Sequence, residues 1–428
     1  MKFDSRLKTA IIFIFEYIFI LAIAWNFESI GSIEKMAIVL FSLVMSGLAI
    51  QKLNKIDGFY GLMMVKYNEK LKFLDAFAKR NEKILNNLAD FMLFLGYGIF
   101  SYIVFDTSQK RQKNLALFGV AILLIAFLFT GDYSLFGIAL CGLFFVGYSS
   151  LAIHSFEILT SKTYPGIMTP IPGVNLPFFE GISVMALTII FHEMFHGLYA
   201  RLNDIDNHSA GFVLFGVIPL AAFVEIDEKK LRSSSKAIQN RVFVAGSLAN
   251  AIITIIMLFS VFVFSALTAP ITQRSLTITE VTQGSPAYYA NLTNQTFVSI
   301  NNISITTAQE LKNALNIIGA NKTINISTVE KGQIIASTDT SGKLGVYTQE
   351  NIEFVNVPKV ISGILYFIMS FLSLAVLFNF SVTVLNLLPI FIADGYRIAE
   401  ISLPKRVTLL LAWSIVLMII INILPWFD

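Results

Sequence analysis

His192 and His196 flank Glu193 in the run Phe191-His192-Glu193-Met194-Phe195-His196-Gly197, an H-E-x-x-H pattern inside an apolar stretch that begins near Gly181. On an α-helix, residues four apart share a face, so the two imidazoles can offer nitrogens to one metal while Glu193 stands beside a further coordination position. That is the geometry of a hydrolytic zinc site: the metal lowers the pKa of a water to about 7, and a neighbouring carboxylate takes the proton as the water attacks a carbonyl. Helical histidines are more often packed structural residues than ligands. Here that reading is disfavoured. The chain has only four histidines, and two imidazoles with a glutamate in a lipid-length apolar helix are costly unless they face a cavity.

Two histidines leave zinc short of a third protein ligand. Asp394 is a rare acidic residue at comparable depth, in Asn386-Leu387-Leu388-Pro389-Ile390-Phe391-Ile392-Ala393-Asp394-Gly395 at the end of an apolar run from about Val360. Pro389 breaks the helix and aims the carboxylate inward, which favours a ligand over a helix end reaching water. Asn250, in Ala245-Gly246-Ser247-Leu248-Ala249-Asn250, is an amide that must find a partner inside lipid; packing glue and active-site amide are both open to it. Asn386 is a second candidate for contact with a substrate.

The elements that position these groups belong to a membrane protein. The 428 residues are 55% hydrophobic and 14% charged, with mean hydropathy +0.71, a composition of polytopic helical chains rather than soluble ones. The net charge of +3 and the lack of a basic tract interleaved with aromatics exclude nucleic acid as a partner. Cys141 stands alone in an apolar stretch, so the chain has no internal disulfide, and nothing nearby lowers the thiol pKa.

About nine spans are expected. Five lie in residues 1–153, near 9–25, 33–50, 91–105, 115–129 and 135–153. Between the second and third, the Lys-rich stretch 51–90 reads as a cytosolic amphipathic helix, either on the membrane surface or solvated. The catalytic core fills 154–271 and 358–428. Its first half opens with an irregular loop over 154–180, broken by Pro165, Pro170, Pro172 and Pro177, in which His154 is read as structural. After the H-E-x-x-H span, Gly211 to Glu225 is interrupted by Gly216 and Pro219 and reads as a short membrane-associated β-hairpin, either a strand edge for substrate or a structural plug. Asp204, Asp206 and His208 read either as lining the mouth of a polar channel to the site or, in preference, as a solvated loop. The remaining spans fall near 242–267, 360–388 and 408–424.

Residues 272–357 alternate polar and apolar positions on either side of an expected helix, Ala308 to Leu315, and read as a small mixed α/β domain. Five glycosylation-type sequons, at Asn291, Asn294, Asn302, Asn321 and Asn325, favour an extracytoplasmic location. Counting spans from a cytosolic N-terminus also puts this domain outside, and the 51–90 and 228–241 loops and Lys405-Arg406 inside. Lys110, Arg111 and Lys113 fall on the wrong side of that count.

These motifs resemble the site-2 protease family of intramembrane zinc metalloproteases. The family pattern pairs H-E-x-x-H with a later N-x-x-P-x-x-x-x-D-G, here His192 to His196 and Asn386 to Gly395, with a small-residue motif ending in asparagine between them, here Gly246 to Asn250. Ser247 replaces the usual proline and Ala393 the usual leucine. The soluble insert resembles a PDZ domain in Gln283-Gly284-Ser285-Pro286-Ala287 and in Ile300-Asn301-Asn302, where Asn302 replaces a glycine and fits if its φ is positive. The resemblance implies one zinc ion held by His192, His196 and Asp394, Glu193 as general base and then proton donor, and Asn386 with Asn250 on the substrate. It further implies proteolysis of single-span membrane proteins within the bilayer, near the cytosolic side, and a peptide ligand for the insert. Two rival classes are a catalytically silent receptor that binds peptides through the insert, and a zinc hydrolase of lipidated peptides. The intact metal motif argues against the first, and the Asn386 to Asp394 pattern with the PDZ-like insert against the second.

Overall fold

The computed structural model describes residues 5–26, 32–67, 72–104, 110–131, 133–161, 166, 167, 170, 172 and 176–426. It divides into two compact units, Met1–Ser260 with Ser370–Asp428, and Val261–Met369.

In the first unit, helices α1 (Ser5–Asn26) and α2 (Ser32–Asn54) pack on a four-stranded antiparallel sheet of β1 (Gly58–Phe59), β2 (Leu62–Tyr67), β3 (Asn207–Phe215) and β4 (Ile218–Ile226), in that spatial order. Ile20, Leu43, Ile50, Met63 and Val217 form their shared buried cluster. The expected hairpin is thus present as β3 and β4, turning at Gly216 with φ 59°, and it is larger than expected. Part of the Lys-rich stretch is strand rather than amphipathic helix. Tyr60 and Gly61, at φ 46° and 84°, reverse the chain, and Leu62 to Tyr67 then pair residue for residue with Phe215 to Ala210. The helical part follows as α3 (Lys72–Arg80) and α4 (Glu82–Tyr97).

Two of the expected spans are broken. Gly98, at φ 56°, ends α4 before a short α5 (Ser101–Val104); beyond α6 (Lys110–Thr130), Gly142, at φ 67°, separates α7 (Tyr133–Cys141) from α8 (Leu143–Ser161). The two breaks fit into each other. A Cβ on Gly98 would fall 2.6 Å from Ala139 O, and one on Gly142 would fall 2.3 Å from the Gly96 carbonyl carbon. Only glycine permits both the conformation and the approach. Helix α8 runs on to Ser161, so the irregular stretch starts later than expected; His154 lies on the helix with Nδ1 3.1 Å from Glu157 Oε2. Pro165 and Gly173 of that stretch lie outside the described residues.

The chain then enters α9 (Phe178–Leu202), the β3–β4 hairpin, a short α10 (Glu228–Ser233) and the long α11 (Lys236–Thr268). Asp206 lies in the loop after α9 with its side chain 45% exposed, and its carboxylate pairs with Arg201 at the end of α9, which also grips Asp75 of α3 at 2.6 and 2.9 Å.

The second unit holds a six-stranded antiparallel sheet made of β5 (Thr272–Val281), β6 (Thr296–Ile300), β7 (Ile303–Ser304), β8 (Thr323–Thr328), β9 (Gly332–Ser337) and β10 (Val346–Phe354). The order is β10-β5-β6-β8-β9, with β7 on β6. Helices α12 (Pro286–Tyr289) and α13 (Ala308–Ile318) complete it, α13 opening on a capping box between Thr307 and Glu310. Leu276, Ile278, Phe297, Ile300, Leu311 and Ile326 are among its core residues. Asn301 and Asn302 have φ of 46° and 67°, the positive values that a residue in place of glycine needs at this turn.

The chain closes with α14 (Lys359–Leu387), α15 (Asp394–Ser402) and α16 (Lys405–Ile423). Among the described residues, six helices are long and apolar enough to cross a bilayer: Ala37–Asn54, Leu143–Thr160, Phe178–Leu202, Lys236–Ile271, Lys359–Leu387 and Lys405–Ile423. The expectation was about nine. Of the other expected spans, the 91–105 run is broken at Gly98, whereas α1 and α6 are continuous helices of 22 and 21 residues.

Candidate metal centre

Helix α9 starts directly after Pro177 and carries no proline or glycine between Ile182 and His196, so its 3.6-residue period puts His192 and His196 one turn apart. Their side chains are each 11% exposed, and their Nε2 atoms lie 3.2 Å apart. From the far end of the chain, Asp394 opens α15, and its Oδ2 stands 3.3 Å from each Nε2. The turn that delivers it needs glycine next door, because a Cβ on Gly395 would lie 2.4 Å from Leu387 O.

Helix α11 orients both rings from behind with positions spaced by four. Val242 O accepts from His196 Nδ1 at 2.8 Å, and the Asn250 amide lies 3.0 Å from His192 Nδ1. Between them Gly246 leaves room for the imidazoles, since a Cβ there would fall 2.4 Å from His192 Cε1 and Nε2 and 2.6 Å from His196 Nε2. Such backing fixes which nitrogen is free. With its proton on Nδ1, directed to Val242 O, His196 presents an Nε2 lone pair to the centre.

The donor set fits a tetrahedral cation. Three lone-pair atoms at 3.2–3.3 Å repel one another without a positive charge among them, and zinc bonds of about 2.0–2.1 Å at tetrahedral angles require edges of about 3.3–3.4 Å. Asp394 Oδ2 is buried and receives no hydrogen bond. Glu193 is half-buried beside this triangle; one donor atom from each of His192, Glu193 and His196 lies within 4.8 Å of the others.

Of the residues singled out from sequence, His192, Glu193, His196 and Asp394 come together. Asn250 is fully buried and reaches the site through His192. Asn386 sits half-buried on the last turn of α14, with no side-chain hydrogen bond among the described residues. Sequence reasoning missed the Val242 carbonyl, which the four-residue step back from Asn250 through Gly246 could have found. It also missed Asp90, a carboxylate in an apolar run, whose Oδ atoms take two 2.8 Å hydrogen bonds from Arg241.

A helical membrane unit thus holds a buried donor triangle with an adjacent glutamate, groups that could hold a metal ion. The match to known proteins agrees: residues 180–424, more than half of the chain, match the model of peptidase family M50, the site-2 protease family, and the chain belongs to it. An uncharacterized protein of Methanocaldococcus jannaschii is 27% identical over 233 residues, which are 53% of this chain and 58% of the relative's length.

Proposed function

We propose that this protein is a zinc-dependent intramembrane endopeptidase that hydrolyses peptide bonds in single-span membrane proteins. The triangle of His192, His196 and Asp394, with 3.2–3.3 Å edges beside Glu193, carries the reading. Zinc in such a site supplies Lewis acidity toward the scissile carbonyl and an acidified water. Glu193 would take a proton from the attacking water and return it to the leaving amine. Asn386, with its amide uncommitted, holds the peptide or its developing oxyanion. Asn250's contact with His192 supports a role behind the ring rather than on the substrate.

Peptide bonds are cut from extended backbone, and β4 offers it a template. That strand is the outer member of its sheet and packs on α9, where Val224 meets Gly197. An extended stretch of substrate adds to that edge and is led to the centre. The insert resembles a PDZ domain, and the open edge of β10 supports a peptide site there by the same strand addition. Its five sequon asparagines are all exposed, in keeping with an extracytoplasmic position and an active site toward the cytosolic side.

The test is cleavage of a model single-span substrate by purified protein in liposomes, comparing wild type, Glu193→Gln and chelated samples. Product from wild type alone, restored by zinc after chelation, supports the proposal. A zinc-loaded wild type that leaves a panel of single-span substrates intact turns the reading toward a receptor.

A further inference from the structure

Helix α4 precedes the family-matched residues, yet it makes polar contacts with α9, with α11 and with the last residue of α14, from which the chain turns to Asp394. Tyr199 Oη, three residues beyond His196 on α9, donates to Leu85 O at 2.6 Å. Asp90 takes the paired hydrogen bonds from Arg241, at side-chain exposures of 5% and 11%, and Arg241 directly precedes Val242, whose carbonyl orients His196. Tyr97 Oη donates to Leu387 O at 3.1 Å. That same carbonyl lies against Gly395, and Leu387 follows Asn386. Gly96 brings α4 close, since a Cβ there would be 2.9 Å from Leu387 Cδ2.

A buried ion pair is a poor way to gain stability, because well-packed apolar residues of similar volume serve the fold as well or better. What a bidentate guanidinium does supply is a fixed direction. It pins both the height and the rotation of α11 at the residue before the carbonyl that His196 needs.

We propose that Asp90 and Tyr97 are positioning residues of the metal centre. Asp90, through Arg241, sets the Val242 carbonyl that orients His196; Tyr97, through Leu387 O, sets the turn that carries Asp394. On this view α4 is a fourth core helix of the catalytic unit, supplied by the part of the chain outside the family match. The inference rests on the metallopeptidase reading above.

Two variants of the full-length protein in detergent test it. Asp90→Leu/Arg241→Met replaces the pair by apolar residues, and Tyr97→Phe removes one hydroxyl. For each, thermal midpoint, zinc affinity by chelator competition, and kcat and KM on a single-span substrate are measured. The expected result is a midpoint near wild type, zinc affinity lowered about 10- to 100-fold, as for other residues that orient ligands, and a fall in kcat with KM kept. Wild-type zinc affinity and kcat in both variants overturn the proposal, whatever their midpoints. If the double variant does not fold, Tyr97→Phe decides by the same criteria. A wild type that binds no zinc overturns the metallopeptidase reading itself, whereas a zinc-binding wild type with unaffected variants overturns only the role of α4.

Discussion

Asn250 stands with its amide 3.0 Å from Nδ1 of His192, although 58 residues separate them and both are buried. A histidine whose Nε2 lone pair goes to a metal carries its proton on Nδ1; the Asn250 atom placed 3.0 Å from it is Nδ2 while Oδ1 is buried without a partner, and turning the amide by 180°, which exchanges two nearly indistinguishable atoms, makes Oδ1 the acceptor for that proton. Asn250→Ala leaves a buried N–H unsatisfied, at about 1–3 kcal/mol, and frees the ring to turn. Zinc affinity is expected to fall about 10- to 100-fold, read by competition with a chromophoric chelator. Unchanged affinity would remove Asn250 from the centre.

Gly246 gives a steric counterpart. A single methyl group placed there meets His192 Cε1 and Nε2 at 2.4 Å, closer than any real contact, and the imidazole cannot yield without leaving the donor triangle. Gly246→Ala is therefore expected to lower zinc occupancy and activity together, while helix propensity favours alanine by about 1 kcal/mol. Metal analysis of the purified variant, alongside its helical circular dichroism, checks this. Full occupancy with normal turnover would mean that the two helices part more easily than their packing implies.

Why some of this was legible in the sequence and some was not follows from distance along the chain. His192, Glu193 and His196 lie on one helix, so a period of 3.6 settles their relation, and Asp394 stood out as a carboxylate set off by Pro389 in an apolar run. The hairpin was marked by Gly216 and Pro219. What escaped depends on partners far away: Leu62 to Tyr67 become strand because Ala210 to Phe215 pair with them, and Asp90 finds its guanidinium 151 residues on. The breaks at Gly98 and Gly142 are likewise mutual, each needing the other's backbone to explain it.

Glu193 separates binding from chemistry. Its carboxylate lies beside the three donors without being one of the triangle's corners, so Glu193→Gln, of nearly the same shape, is expected to keep zinc at wild-type stoichiometry. The loss of a positioned general base is expected to lower kcat by about 10²- to 10⁴-fold. Metal content and single-turnover cleavage in the same preparation give both numbers. A variant that loses its zinc would instead make Glu193 a ligand.

The insert carries a pH dependence whose sign the structure sets. Glu330 accepts from Thr296 N at 2.7 Å and from Thr296 Oγ1 at 2.8 Å, and the backbone N–H above all holds its carboxyl below the ordinary glutamate range. The folded pKa is thus lower than the unfolded one, so the stabilisation is complete above the unfolded value, about 4.3, and is lost as pH falls from there through the folded value. Hydrogen exchange on the full-length protein is expected to show the amides of Thr296 to Ile300 losing protection over that acid range, and Glu330→Gln is expected to flatten the dependence at that strand. Protection that does not change from about pH 6 to pH 3, a window spanning the ordinary glutamate value, would show that the Thr296 contacts do not anchor the strand. Because Glu330 is exposed and its partner is a backbone amide at the start of β6, the dependence belongs to that end of the strand and is expected to be unaltered by Glu193→Gln or by removal of zinc.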